Sequence, residues 1–340
     1  MPVLTLVYQL CVRLHNSMHS LGLLILLPCA TALPPKVGPY TVSRKTYEVP
    51  ILDKSDAKAL IYYPSGNDTA ESRFPLISYL HGLAGGGGLD IEGYAVLFAQ
   101  MASYGFVVAA PLSCNDGCRD QVNAPYTDCA GLPSVQPANW PSYYGEQLKT
   151  MEWAHSAGKE GSDPILSLID WDAGVGIAGH SMGGQATAIT ASKNCVVQHF
   201  GARIKAAVLH HAANGAVGGG PTPGKTNVGT NVSIPTAAFT SSGDSIWAET
   251  RDIFDAAHHG AASKLPMLYR DEVGYSHLEP VLAPPIENPY LATFTAAWFK
   301  IHLRSGAPGG PGDTWYDMIY GTTPDSLCNS APMVNCTLVP

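Results

Sequence analysis

The segment GVGIAGHSMGGQATAITASK, residues 174–193, passes from a short run of small apolar residues into a stretch of helix formers with no spacer between them. One serine stands at the junction. Gly179-His180-Ser181-Met182-Gly183 matches G-x-S-x-G, the pattern of a strand that turns abruptly into a helix with the serine on the turn. The backbone of such a turn is strained, and a β-carbon on either flanking residue collides with its surroundings, so both flanks are glycine. Gly184 follows as a further small residue and lets the helix pack close to a sheet. A chain with this junction needs a strand before it and a helix after it.

The rest of the sequence repeats that alternation. FPLISYLHG (74–82), GFVVAAPL (105–112), GVGIAG (174–179), IKAAVLHHA (204–212), IPTAAFTSS (234–242) and LPMLYRDEV (265–273) are short apolar runs of strand length. EGYAVLFAQMASYG (92–105), WPSYYGEQLKTMEWAHSAG (140–158), MGGQATAITASK (182–193), IWAETRDIFDAAHHG (246–260) and YLATFTAAWFKIHLRSG (290–306) read as helices. Strands alternating with helices predict an α/β fold with a mainly parallel sheet covered by helices on both faces. No repeat or linker divides the chain, so residues 33–340 are expected to form one domain. At 46% hydrophobic and 14% charged, the composition supports a sizeable core.

The N-terminus has the pattern of a signal peptide over residues 1–32. Arg13, His15 and His19 precede the apolar run LGLLILLPCATA (21–32), which ends in the small-x-small site Ala30-Thr31-Ala32. That run is too short to span a bilayer comfortably, and no later segment is long and apolar enough for a membrane helix. The expectation is a secreted protein with no integral span. Of the eight cysteines, Cys11 and Cys29 fall in the leader, leaving Cys114, Cys118, Cys129, Cys195, Cys328 and Cys336. An even number in a secreted chain suggests disulfides. Cys328 and Cys336 close a short loop and are paired; the other four stay open. The Cys114-x3-Cys118 loop contains no histidine, which argues against zinc. Asn67, Asn231 and Asn335 sit in glycosylation acceptor triplets. A net charge of −8 argues against nucleic acid or an anionic membrane as the main partner.

A serine hydroxyl needs a base, and the base needs an orienting acid. After an elbow of this type the chain order is serine, acid, histidine. Asp244 follows the strand run IPTAAFTSS, and His277 stands in GYSHLEP just past the next strand. Both fall after strand ends, on the edge where open α/β sheets hold their sites. Competing residues are placed elsewhere. Asp252 and Asp255 suit an exposed helix face, and Asp271 and Glu272 precede His277 too closely. His210 and His211 end a strand that comes before any candidate acid. His258 and His259 suit a helix C-terminus, and His180 is assigned a structural place in the elbow. The loop His81–Gly88 follows the first core strand; its Leu83 and the elbow's Met182 are the expected backbone N–H donors of an oxyanion hole. Gly219–Thr226 matches the phosphate-loop pattern G-x-x-x-x-G-K-[ST]. NVGTNVSIP follows it instead of a helix, so a nucleotide site is set aside.

The order of LHG, GHSMGG, SGDSI and YSH resembles the α/β-hydrolase superfamily. More closely it is similar to the secreted polyester-hydrolase, cutinase and lipase group, with chlorophyllases and platelet-activating-factor acetylhydrolases as relatives. The resemblance runs from about residue 40 to the Cys328–Cys336 loop. It implies a catalytic triad of Ser181, Asp244 and His277, an oxyanion hole at Leu83 and Met182, and no metal or organic cofactor. The implied substrate is an ester: a small molecule, a lipid or a polymer, taken by a monomer. One departure concerns the segment LHHAANGAVGGG, which lacks the tryptophan that polyester hydrolases tend to carry there, and this weighs against aromatic polyesters. The long loops 112–139 and 214–231 are expected to rim the cleft. The alternatives are a non-catalytic binding protein on the same fold, or a peptidase or acyltransferase using the same three residues.

Overall fold

The six apolar runs become six neighbouring strands of one sheet. They are β3 (Leu76–Leu80), β4 (Val107–Pro111), β5 (Val175–His180), β6 (Ile204–His210), β7 (Thr236–Ser241) and β8 (Met267–Glu272). All pair in parallel, in the order β4-β3-β5-β6-β7-β8. The computed structural model describes residues 37–49, 58–66, 73–82, 93–112, 141–159, 161, 163–193, 203–214, 227–260, 264–282, 288, 290–330 and 333–339. These fall in one compact unit, Pro35–Pro340. The leader (1–32), Leu83, Asn67, the four unassigned cysteines, the phosphate-loop pattern and, of the long loops, residues 113–139 and 215–226 lie outside the described residues.

The nine-stranded sheet is mixed: the parallel strands expected from sequence form its centre, and antiparallel pairs lie at both edges. Three strands absent from that expectation extend it: β1 (Thr41–Glu48) and β2 (Lys58–Ser65) at one edge, β9 (Met333–Val339) at the other. β1 pairs antiparallel with β2, β2 with β4, and β9 with β8. β1, TVSRKTYE, is an edge strand largely open to solvent, and its Arg44 and Lys45 discourage a further strand from pairing there. Cys328 and Cys336 form a disulfide, Cα atoms 5.5 Å apart, which ties β9 to the preceding turn.

Alternation along the strands creates two cores. Leu76 and Leu80 of β3 join Val175 and Ile177 of β5 on one face, under Leu148 and Met151 of α2 (Pro141–Lys159) and Met182 and Ala186 of α3 (Met182–Thr190). Ile77 and Tyr79 point to the other face. There they meet Leu97, Phe98 and Met101 of α1 (Ala95–Ser103) and Phe294 and Trp298 of α6 (Leu291–His302). α4 (Trp247–His259) covers the first face through Ile253 and Phe254, and α7 (Thr314–Tyr320) the second through Ile319. A short α5 (Glu279–Leu282) follows β8. Among the described residues, no helix is long and apolar enough to cross a membrane.

This order brings the ends of β3, β5, β6, β7 and β8 to one edge. Leu80 and Gly179, and His180 and His210, are register partners. The turns leaving these strand ends are therefore neighbours in space.

Candidate functional site

Ser181 stands at the turn from β5 into α3 with φ +56° and ψ −119°, a conformation that a side chain rarely adopts. Sequence explains why the turn closes. A β-carbon at Gly179 would lie 2.2 Å from the carbonyl oxygen of Gly183. One at Gly183 would lie 2.3 Å from the carbonyl oxygen of Leu80. The first turn of α3 is thus pressed against both strand ends. Two backbone bonds hold the serine itself: its amide donates to the carbonyl of His210, and the amide of Ala213 donates to its carbonyl, both at 3.0 Å.

The three residues singled out from sequence meet here. The hydroxyl of Ser181 donates to Nε2 of His277 at 2.8 Å. On the far side of that ring, Nδ1 lies 3.1 Å from each carboxylate oxygen of Asp244. A carboxylate only accepts, so Nδ1 carries the proton and Nε2 is left free to accept from the serine. The Asp244 side chain is fully buried, whereas that of His277 is 28% exposed, so the histidine and not the acid is open to a ligand.

Met182 opens α3, where its N–H has no partner further back in the helix. Leu83, its expected companion, lies outside the described residues. The residue before it is placed: a β-carbon on Gly82 would come within 3.3 Å of Ser181 Cβ. The glycine-rich loop therefore starts beside the serine.

Sequence reasoning missed four contributors. Tyr94, just before α1, takes the amide of Gly82 at 2.9 Å on its oxygen and donates its proton to Nδ1 of His180 at 2.6 Å. The other nitrogen of His180 donates to the carbonyl of His277 at 2.7 Å. His180, given only a place in the elbow, thus links Gly82, through Tyr94, to the backbone of His277. Burial, aided by the neighbouring imidazoles, holds His180 well below the usual histidine range, consistent with a neutral ring.

The third and fourth are His211 and Glu279. His211 donates from Nδ1 to Asp244 Oδ2 at 2.8 Å and from Nε2 to Glu279 Oε2 at 2.7 Å. The serine-acid-histidine order dismissed His211 because it precedes the acid in the chain; parallel pairing of β6 with β7 brings the two together regardless. Glu279 had a visible signal, two residues beyond His277 in SHLEP. Burial acts to lower the proton affinity of His211, but hydrogen bonds to both carboxylates overcome it and push its pKa up to about 9. Burial alone would raise Asp244; its bonds from His211 and His277, and from the Ile246 amide at 2.9 Å, hold it well below the usual carboxylate range. Asn288 donates to both Glu279 and Glu272, and Arg270 pairs with Glu272. Burial and the charge of Glu279 push Glu272 up to about 8.

His211, Asp244 and His277 offer ligand-type atoms within 4.8 Å of one another, which is metal-site spacing. Those atoms are already engaged with each other, and a metal would not account for Ser181 on the remaining nitrogen of His277. The other candidates stand apart. Asp255 pairs with Arg251 at 2.9 Å, and His259 donates to the carbonyl of Asp255 at the end of α4. After the phosphate-loop pattern comes the single 3-10 turn Val228–Asn231, then β7. No protein-family model matches the chain, and no curated protein matches it.

Proposed function

We propose that the chain is a secreted serine hydrolase of the α/β-hydrolase type that cleaves carboxylic esters. The observation that carries this is the continuous hydrogen-bonded line from Ser181 Oγ through His277 to Asp244, at 2.8 Å and 3.1 Å. The strained backbone of Ser181, and the arrival of all three residues at one sheet edge, support the same reading. Ser181 Oγ attacks the ester carbonyl carbon as its proton passes to Nε2 of His277. The new oxyanion is taken by the backbone N–H of Met182 at the start of α3, with Leu83, outside the described residues, as the expected second donor. Collapse of the tetrahedral species breaks the bond to the alcohol, which leaves with the proton from His277. Water, deprotonated by His277, then attacks the acyl-enzyme, and the acid departs from Ser181. Asp244 keeps the imidazole in the required tautomer. The sequence after β6, His211-Ala212-Ala213-Asn214, offers no aromatic platform, which favours aliphatic over aromatic acyl groups.

The test is hydrolysis of nitrophenyl esters of increasing acyl length by the wild type and Ser181→Ala. A phosphonate probe applied alongside reports where the enzyme is labelled. Loss of turnover in the variant, with label on Ser181 in the wild type, is expected. Equal activity in both proteins would overturn the proposal.

A further inference from the structure

We infer that His211 and Glu279 are a positioning pair for this hydrolysis, a second imidazole that grips Asp244 on the oxygen facing His277 and holds it in register with the base. The inference rests on the proposed triad. It starts from the backbone: His211 has φ +46°, and it and Ser181 are the two non-glycine residues with positive φ among the described residues. Such conformations persist where surrounding structure enforces them, and they gather at working sites. Here the strain aims the ring between two carboxylates.

The chemistry of that position is restrictive. Both nitrogens of His211 face carboxylate oxygens, and the side chains of His211, Asp244 and Glu279 are almost wholly buried. A neutral imidazole has one N–H, so one carboxylate would face a lone pair. The protonated ring satisfies both, consistent with its raised proton affinity. The groups facing it act in both directions. Glu279, Asp244 and, further off, Glu272 and Asp271 favour the charge, while His180 and His277, their rings 6.3 Å and 6.0 Å away, and adjacent His210 oppose it. Arg270 is occupied by Glu272. The trio Asp244, His211 and Glu279 carries one net negative charge, the same as a lone aspartate. The pair therefore fixes the carboxylate without changing the charge offered to His277.

Once His211 loses its proton, a lone pair opposes one carboxylate and the grip loosens. Activity then declines on the alkaline side. Glu279→Gln separates this from a packing role. In that variant a neutral His211 keeps its N–H to Asp244, the new carboxamide donates to the freed nitrogen, and its oxygen still accepts from Asn288. Every hydrogen bond survives, and His211 no longer needs its second proton to satisfy both neighbours.

The experiment measures kcat and KM on one nitrophenyl ester from about pH 6 to about pH 10, normalised to sites titrated by a phosphonate. Wild type, Glu279→Gln and His211→Gln are compared. The wild type is expected to lose activity above about pH 9. Glu279→Gln should lack that alkaline limb. His211→Gln should lose about tenfold to a hundredfold in kcat per titrated site with little change in KM. If His211→Gln does not fold, the limb in Glu279→Gln decides alone. A wild-type limb retained in Glu279→Gln, or no limb in the wild type, overturns the inference. Full activity of Ser181→Ala overturns the triad instead, so the two failures are distinguishable.

Discussion

Ser181 and His211 occupy adjacent strand ends, and each departs from ordinary backbone geometry, with φ values of +56° and +46°. The amide of Ser181 donates to the carbonyl of His210, so the strained turn after β5 is tied to the one after β6. Strain at Ser181 is a cost to the fold. Ser181→Gly relieves it, whereas Ser181→Ala keeps it. Both variants should be inactive, and Ser181→Gly should be the more stable by about 1 kcal/mol in urea unfolding, after allowance for the extra freedom of glycine in the unfolded chain. The opposite order would mean that the turn relaxes when the hydroxyl is removed.

Asp244→Asn probes the proposed orienting acid at nearly constant volume. The carboxamide presents an N–H2 group where one of two imidazoles needs an acceptor. His277 is then drawn toward the tautomer that cannot take the proton of Ser181. A loss of kcat of about 10,000-fold is expected, with KM little altered. Initial rates at neutral pH on a nitrophenyl ester measure it. A loss of only a few-fold would remove Asp244 from the mechanism.

The six parallel strands were legible because each carries a short buried stretch of apolar residues; β5 is buried at every position, with no polar interruption except His180 at its end. β1 was illegible for the opposite reason: TVSRKTYE is half exposed, and its place is set by pairing with β2, not by its own apolar pattern. β2, KALIYYPS, carried a usable run in Ala59–Tyr62 that the Pro-rich surroundings masked. α7 begins at the cap Asp313, whose side chain accepts from Trp315 at 2.9 Å, but the glycines and prolines before it read as loop. Within the site, Ser181, Asp244 and His277 came from spacing and order. His211 and Tyr94 did not, because their roles arise from neighbours across the sheet, and no local periodicity encodes those.

Tyr94→Phe removes a single oxygen and separates two parts of the site at once. The amide of Gly82 loses its acceptor, and Nδ1 of His180 loses its donor. Each is a buried polar group left unpaired, so stability should fall by about 1–3 kcal/mol. Because one end of this link is Gly82, at the start of the loop proposed to hold the oxyanion, and the other reaches the His277 carbonyl, kcat should also fall, by about tenfold. Thermal melting and steady-state rates on the same preparation test both. Lower stability with unchanged kcat would make Tyr94 a core residue only.

Stability against pH should pass through a maximum near pH 6.5. His211 is raised from 6.5 unfolded to about 9 folded, so its contribution is complete below pH 6.5 and is lost as pH rises through 9. Glu272, raised from 4.5 to about 8, adds to the loss as pH rises across that interval. Burial works the other way on His81 and His210, lowered to about 4 and about 3, which stay neutral in the fold. Below pH 6.5 the unfolded chain takes protons that these two refuse, and stability declines toward acid. Asp244, held low in the fold, extends that decline below its unfolded value of 3.8. Urea midpoints at a series of pH values should therefore fall in both directions, and Glu279→Gln should flatten the alkaline side. A midpoint rising steadily from pH 6.5 to 9 would mean that His211 is not held as a cation between its two carboxylates.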